Sequence, residues 1–460
     1  MDKRQIKQQL KWAPVLICFA VTLGFSLSFY YRAPYHDHWD LVTQYQRLQD
    51  GQYQFADLFA LHGNHWHASG LLVKLVLAKL TGMAHCAESL ASVGIAGLGF
   101  LALARILSRT LDRFEVNAPI PAIWIYGVAS FFYFSLDQAG NWLWGWQVSV
   151  FLNLAGVLWA IERLSCGRVN SLNTILAAIA AAIAIYAFAT GWVLLPIGVG
   201  LLIAYGAHRS WPGRRALLIW SAFSGLILAQ YLFAVAHAPG ADFSAGMVTS
   251  LDISTVLGLA HYSINFVASP VVRFARDISI PIAFAGIGIV VCAIWACRRQ
   301  VSGGVLRASA PLLAMAFYSG GAAFLTALGR WEAYGVKQAF VSRYISFGNL
   351  FWIAVFVLAM LVIAKWRDRS HRVLIGVLGL LFVLKLGNIP SVVQKSVRIS
   401  ADIQAASDIV AAQYPDVSAA DYAVLHAHGQ EIRPHLATLH DHRASFFRGV
   451  PNDLEGIPDD

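Results

Sequence analysis

Residues 12–40 read WAPVLICFAVTLGFSLSFYYRAPYHDHWD, an uncharged apolar run from Trp12 to Tyr30 that gives way at once to histidines and acids. A helix of that length rises about 28 Å, close to the roughly 30 Å of a bilayer's hydrocarbon. Backbone amides and carbonyls find no water in lipid, so a chain that crosses there as a single segment is helical. No small-x-small cleavage pattern stands before Tyr30 and Tyr31, so the run is expected to stay as a first helix and not to leave as a signal peptide.

The same pattern recurs along the chain. Of 460 residues, 58% are hydrophobic and 13% charged, a balance that a water-soluble domain of this size could not bury. Mean hydropathy is +0.58. Apolar runs fall at residues 12–30, 87–104, 119–136, 147–162, 172–188, 191–206, 216–236, 279–297, 308–328, 345–364 and 373–389. The expectation is an all-α integral membrane protein with about 11 crossings, within a range of 10–12.

A formal charge of +9 would suit a nucleic-acid binder, but no nucleic-acid motif accompanies the basic residues. They follow topology. Alternate connections carry Lys3, Arg4, Lys7 and Lys11; Arg105, Arg109 and Arg113; Arg163 and Arg168; Arg209, Arg214 and Arg215; Arg298, Arg299 and Arg307; Lys365, Arg367, Arg369 and Arg372. The opposite connections hold far fewer. This asymmetry predicts a multi-pass chain with a cytoplasmic N-terminus and a C-terminus on the opposite, outer side.

On the predicted outer side lie a first loop at residues 31–86, a loop from His237 to Ile278, a loop from Gly329 to Arg343, and residues 390–460. The chain therefore divides into a membrane domain, 1–389, and a small, partly helical tail, 390–460. Within the first loop, Leu41, Tyr45 and Leu48, then Leu71, Leu72, Leu75, Val76 and Leu80, recur at helical spacing with Lys74 and Lys79 opposite. Such spacing predicts amphipathic helices lying in the interface. The stretch Ser400–Tyr414 is weakly amphipathic, and the end of the chain is rich in histidine and acid. Cys18, Cys86, Cys166, Cys292 and Cys297 show no metal-ligand spacing, and no disulfide framework is expected.

Four strings could carry chemistry. In Tyr35-His36-Asp37-His38-Trp39-Asp40, acids stand at a membrane surface, where they are costly unless solvated or used. Asp37 and Asp40, three residues apart, can share a helical face, one as a general base and the other tuning it. His62-Gly63-Asn64-His65-Trp66-His67 concentrates imidazoles that donate to phosphate or hold a metal. Asn141-Trp142-Leu143-Trp144-Gly145-Trp146-Gln147 offers flat faces for stacking on sugars, or an ordinary interfacial belt. Gly329-Arg330 and Ser342-Arg343-Tyr344 supply guanidiniums able to clamp a phosphate or anchor headgroups. Arg273 and Arg276, with His261 and Tyr262, rank below these. No glycine-rich nucleotide loop is present.

Together these strings, spread over Trp12 to Ala364, resemble the polytopic bacterial glycosyltransferases of the GT-C fold. That family is expected to show an acidic motif after the first helix, here Asp37 and Asp40. A His-x-x-His string follows, here His62 and His65, then an Asn-x-x-Trp-Gly-aromatic-Gln string, here Asn141, Trp144 and Gln147. A Gly-Arg and a Ser-Arg-Tyr come last, here Arg330, Arg343 and Tyr344. Gly140 departs from the expected acid, with Asp137 nearby as a substitute, and Trp66 stands where an arginine is usual.

The resemblance implies inverting transfer of a sugar from a polyprenyl-phosphate donor to an acceptor hydroxyl, on a glycan, lipid or protein, at the periplasmic face. Asp37 or Asp40 would be the base, and His62, His65, Asn141, Trp144, Gln147, Arg330, Arg343 and Tyr344 would bind donor phosphate and sugar. No metal ligand set is assigned and no cofactor is certain; a divalent metal is the one candidate. The composite predicts an outward cavity lined by Asp37, His65, Asn141, Gln147, Arg330 and Arg343. A lipid-linked-sugar flippase or other transporter is the main alternative, and it would show ionisable groups at membrane depth, broken helices and an internal repeat. A polymerase or ligase would centre on a large late loop.

Overall fold

The computed structural model describes residues 9–62, 65–115, 119–167, 169–237, 252–300, 304–365, 371–426 and 432–448. Its helices are α1 (Ala13–Phe29), α2 (Asp40–Gln49), α3 (Ala68–Thr81), α4 (His85–Arg113), α5 (Pro119–Tyr133), α6 (Ala139–Leu143), α7 (Val148–Leu164), α8 (Ser171–Ala187) and α9 (Leu194–Ala204). They continue as α10 (Trp211–His237), α11 (Ile253–Val272), α12 (Ser279–Gln300), α13 (Gly304–Tyr334), α14 (Ser342–Lys365), α15 (His371–Gln413), α16 (Ala419–Tyr422) and α17 (Arg433–Asp441). Among the described residues one strand pair is present, β1 (Leu61–His62) with β2 (His65–Trp66), and it is antiparallel.

Among the described residues, nine helices are long and apolar enough to cross a membrane, and two shorter apolar helices, Ser171–Ala187 and Ala189–Ala204, accompany them. Large apolar side chains face outward, as a lipid solvent favours: Leu16 is 63% exposed and Leu226 70%. Between helices, small residues allow close approach. A Cβ on Gly156 of α7 would come within 2.5 Å of the Ala180 carbonyl of α8, so the two backbones touch where side chains would otherwise hold them apart.

The connections gather at two ends of the bundle. At the basic end, Arg109 donates to Glu162, Arg113 donates to the Tyr205 hydroxyl at 2.8 Å, Tyr205 donates to the Arg307 carbonyl at 2.8 Å, and Lys365 meets Glu115 at 3.1 Å. At the other end, the Tyr31 amide donates to the Leu143 carbonyl at 2.9 Å, Arg273 to the Asp137 carbonyl at 3.1 Å and Asn141 to the Arg343 carbonyl at 3.0 Å. This second cluster is the cavity end.

Three expectations change. The loop from His237 to Ile278 contains the 20-residue helix α11, whose apolar run is interrupted by Ser263, Asn265, Ser269 and Pro270 and so escaped the hydropathy pattern. The helix runs along the cavity end: Gly258 lies against Trp331, Tyr262 donates to Gln338 at 2.9 Å, Asn265 to the Val336 carbonyl at 3.2 Å, and Arg273 reaches Asp137. In α3 the faces do not divide as the spacing predicts. Lys74 is fully buried beside Leu75, while Leu72, Val76 and Leu80 are 49%, 48% and 76% exposed and Lys79 is exposed with them. Beside lipid, much of the apolar surface faces out and the Lys74 side chain is turned inward.

The last apolar run continues without interruption, through Pro390, into a 43-residue helix. Beyond it the C-terminal residues fold over the first loop. The His36 amide and the Trp39 indole both donate to the Leu425 carbonyl, each at 3.3 Å. Thr438 donates to Gln46 at 3.0 Å, and the Ser445 amide to the Gly82 carbonyl at 2.9 Å.

Candidate functional site

A small cavity of about 70 Å3, open to the exterior, is lined at this end by Asp37, His62, His65, His67, Trp146, Gln147, Ser149, Val150, Phe188, Arg330, Arg343 and Tyr344. Six separate stretches of the chain line it, and its polar groups fall into four sets.

The first is the 3-10 turn His36–Trp39, which presents Asp37 while His38 and Trp39 are buried. His36 takes a φ of +48°, a conformation costly for a side chain, so the turn is held open against local preference. The second is the strand pair. His65 and His67 share a 2.9 Å contact between their Nε2 atoms, one donating and the other accepting. Desolvation, reinforced by His62 and Arg330, pushes the His65 pKa down to about 4. Burial, with His65, Lys74 and His62 adding to it, holds His67 well below its usual value. At neutral pH both imidazoles are therefore neutral and act as hydrogen-bond partners, not as cations.

The third part is Trp146 and Gln147. Behind Trp146 lies Lys74, whose Nζ is 3.2 Å from the ring centroid and has no hydrogen-bond partner. Burial pushes its pKa down to about 7 against the opposing pull of Glu88, Asp37 and Asp40. The fourth is the pair of guanidiniums. Arg330 lies near the end of α13 and stacks by Tyr334 at 5.6 Å; Arg343 opens α14 and lies 5.7 Å from the Tyr344 ring. Neither has a carboxylate within ion-pair distance among the described residues.

Of the residues singled out in sequence, Asp37, His62, His65, Gln147, Arg330, Arg343 and Tyr344 line this cavity. Asp40, Asn141 and Trp144 do not. Asp40 is exposed beside the His62 ring, 3.5 Å away. Asn141 is buried and donates to the Arg343 carbonyl and, at 2.7 Å, to Ser346. Ser346 in turn donates to Gln138. Asn141 thus fixes the backbone of Arg343 and does not face the cavity. Trp144 packs edge-on to Tyr35 at 5.9 Å.

The two departures from the family pattern also resolve. Asp137 does not substitute for the acid expected at Gly140: it is fully buried and paired with Lys385, itself held at 3.0 Å by Asn349. Gly140 instead packs on Ser342, where a Cβ would come within 2.8 Å of the hydroxyl oxygen. Trp66 is buried among Tyr186, Trp192 and Tyr231. It is not among the residues that line the cavity.

His67 and Trp146 belong to strings already singled out; Ser149, Val150 and Phe188 carry no signal in sequence. The histidine string is also not where metal-ligand atoms converge. Among the described residues that arrangement belongs to His38, His85 and Glu88, outside the cavity lining. Chemically the cavity pairs a solvent-accessible carboxylate with two uncompensated cations and neutral imidazoles, a set able to hold an anion and accept a proton. The chain matches no protein-family model, no curated protein and no solved structure.

Proposed function

We propose that this chain is a GT-C-type membrane glycosyltransferase that moves a sugar from a polyprenyl-phosphate donor to an acceptor hydroxyl. The observation that carries the reading is one cavity in which, among the described residues, Arg330 and Arg343 have no carboxylate within ion-pair distance while Asp37 lines the same space. Unpaired guanidiniums in a part-buried site favour a bidentate anion such as phosphate. Asp37 takes the proton from the acceptor hydroxyl as its oxygen bonds to the anomeric carbon. The bond from that carbon to the donor phosphate breaks, and the charge left on phosphate is met by the arginines. Attack opposite the leaving group inverts the anomeric centre.

In this reading the bundle crosses the inner membrane about 11 times, drawing on the nine span-capable helices, α11 among them, and on shorter apolar helices. The basic end is cytoplasmic, by the positive-inside rule, and the cavity and C-terminus are periplasmic. A transporter is the second reading, favoured by the fully buried Asp137–Lys385 pair between helices.

The deciding experiment is mass-spectrometric detection and photocrosslinking of bound lipid, offering purified protein a panel of undecaprenyl-phosphate sugars and comparing wild type with Arg330→Ala and Arg343→Ala. One lipid-linked sugar bound by wild type and lost in both variants is the expected result. Binding to none would remove the transferase reading.

A further inference from the structure

His38, Glu88 and His85 meet beside Trp146 of the cavity lining, all of them buried. His38 Nε2 lies 3.1 Å from Glu88 Oε1, and His85 Nδ1 lies 3.2 Å from Glu88 Oε2. Their ligand atoms all fall within 4.8 Å of one another. The far nitrogen of His85 is held at 2.8 Å by the Ser445 hydroxyl, the outer hydrogen bond that characteristically orients a metal-ligating imidazole. Gly145 clears the space: a Cβ there would collide with Glu88 Oε2 at 2.0 Å.

We infer that these three side chains bind a divalent cation of the zinc type. Two imidazoles and a carboxylate are a donor set that zinc accepts, and they suit it better than magnesium or calcium, which prefer all-oxygen shells. Each imidazole faces a different oxygen of Glu88, so an ion between the rings meets the carboxylate from both sides. The site ties together the turn that carries Asp37, the start of α4 and, through Ser445, the C-terminal segment. It is therefore a structural clasp for the floor of the cavity, and it stands whether or not the transferase reading does. Lys74 is the nearby buried cation that opposes it.

The test is to strip the full-length protein in detergent micelles with a chelator, add zinc alone, desalt, and measure bound metal by plasma mass spectrometry. Wild type is expected to retain about one equivalent, His85→Ala to lose it, and the double variant His62→Ala/His65→Ala to keep it. Cobalt in place of zinc should give wild type the intense visible absorption of a four-coordinate site, a readout that needs no variant to fold. Lys74→Met, which removes the opposing charge, should bind zinc more tightly. No retained zinc and no cobalt spectrum in wild type, or zinc lost only in the His62/His65 variant, would overturn the assignment. The first outcome would leave a neutral hydrogen-bonded triad, and the second would place the ion in the cavity.

Discussion

At the basic end, Arg109 and Arg163 both reach Glu162 and Lys365 reaches Glu115; at the cavity end, Arg330 and Arg343 line a space that Asp37 also lines, and among the described residues no carboxylate stands within ion-pair distance of either. The residue types are alike and the surroundings differ. Where the chain supplies its own counter-charge, a cation's work is done once the protein has folded. Where it supplies none, the part-buried guanidinium keeps its unspent attraction for an anion from elsewhere. Asp137 and Lys385 show the first pattern at the cavity end itself, fully buried and paired with each other. The contrast is therefore one of pairing, not of position.

The largest effect expected is on chemistry. Asp37→Asn should lower sugar transfer by about 10^2- to 10^4-fold, the usual contribution of a general base, with the variant eluting as folded protein. Transfer at the wild-type rate would take Asp37 out of the reaction.

Next comes the satisfied pair. Asp137→Asn leaves Lys385 buried without its partner and should cost about 3–5 kcal/mol of stability, followed by thermal unfolding in micelles. Combining it with Lys385→Met should recover most of that loss, and lipid binding should survive in the double variant. A double variant no more stable than the single would dissolve the distinction between paired and unpaired charge.

The arginines supply the direct comparison. Arg330→Ala and Arg343→Ala should each weaken binding of the lipid-linked sugar about 10- to 100-fold, the value of a charge-assisted contact. Arg109→Ala should lower the unfolding temperature and leave that binding unchanged. Equal losses of binding in all three would mean that the two ends are not different in kind.

The smallest effect is a pH dependence. Because the His65 pKa is depressed to about 4 from an ordinary 6.5, the unfolded chain takes up a proton before the folded one does. Stability held above pH 6.5 should fall as pH drops towards 4 and level off below it. His65→Asn should flatten that slope, as read by unfolding temperature across the window; an unchanged slope would mean that other groups carry it.

Much of the candidate site was legible because its residues announce themselves by type. Acids, paired histidines and arginines beside apolar runs are costly there, so Asp37, His62, His65, Arg330 and Arg343 stood out by chemistry alone. Asn141 was legible as unusual but not as a brace, since its bond to the Arg343 carbonyl joins residues 202 positions apart. Lys74 was misjudged by the same spacing that located its helix. Periodicity reports that a helix has two faces, and only packing tells which one meets lipid. Nothing in sequence marked His85 or Glu88, because a histidine and an acid at a helix start are commonplace until His38 closes on them.

Sequence by itself determined that the chain is helical and membrane-embedded and that its basic connections alternate, because hydropathy and charge act locally and need no fold to be read. Tertiary structure alone decided that α11 lies along the cavity end, that Asp137 is spent on Lys385, and that the C-terminal segment covers the first loop. Each of these depends on which distant side chain fills the space opposite, and a linear pattern carries no record of that.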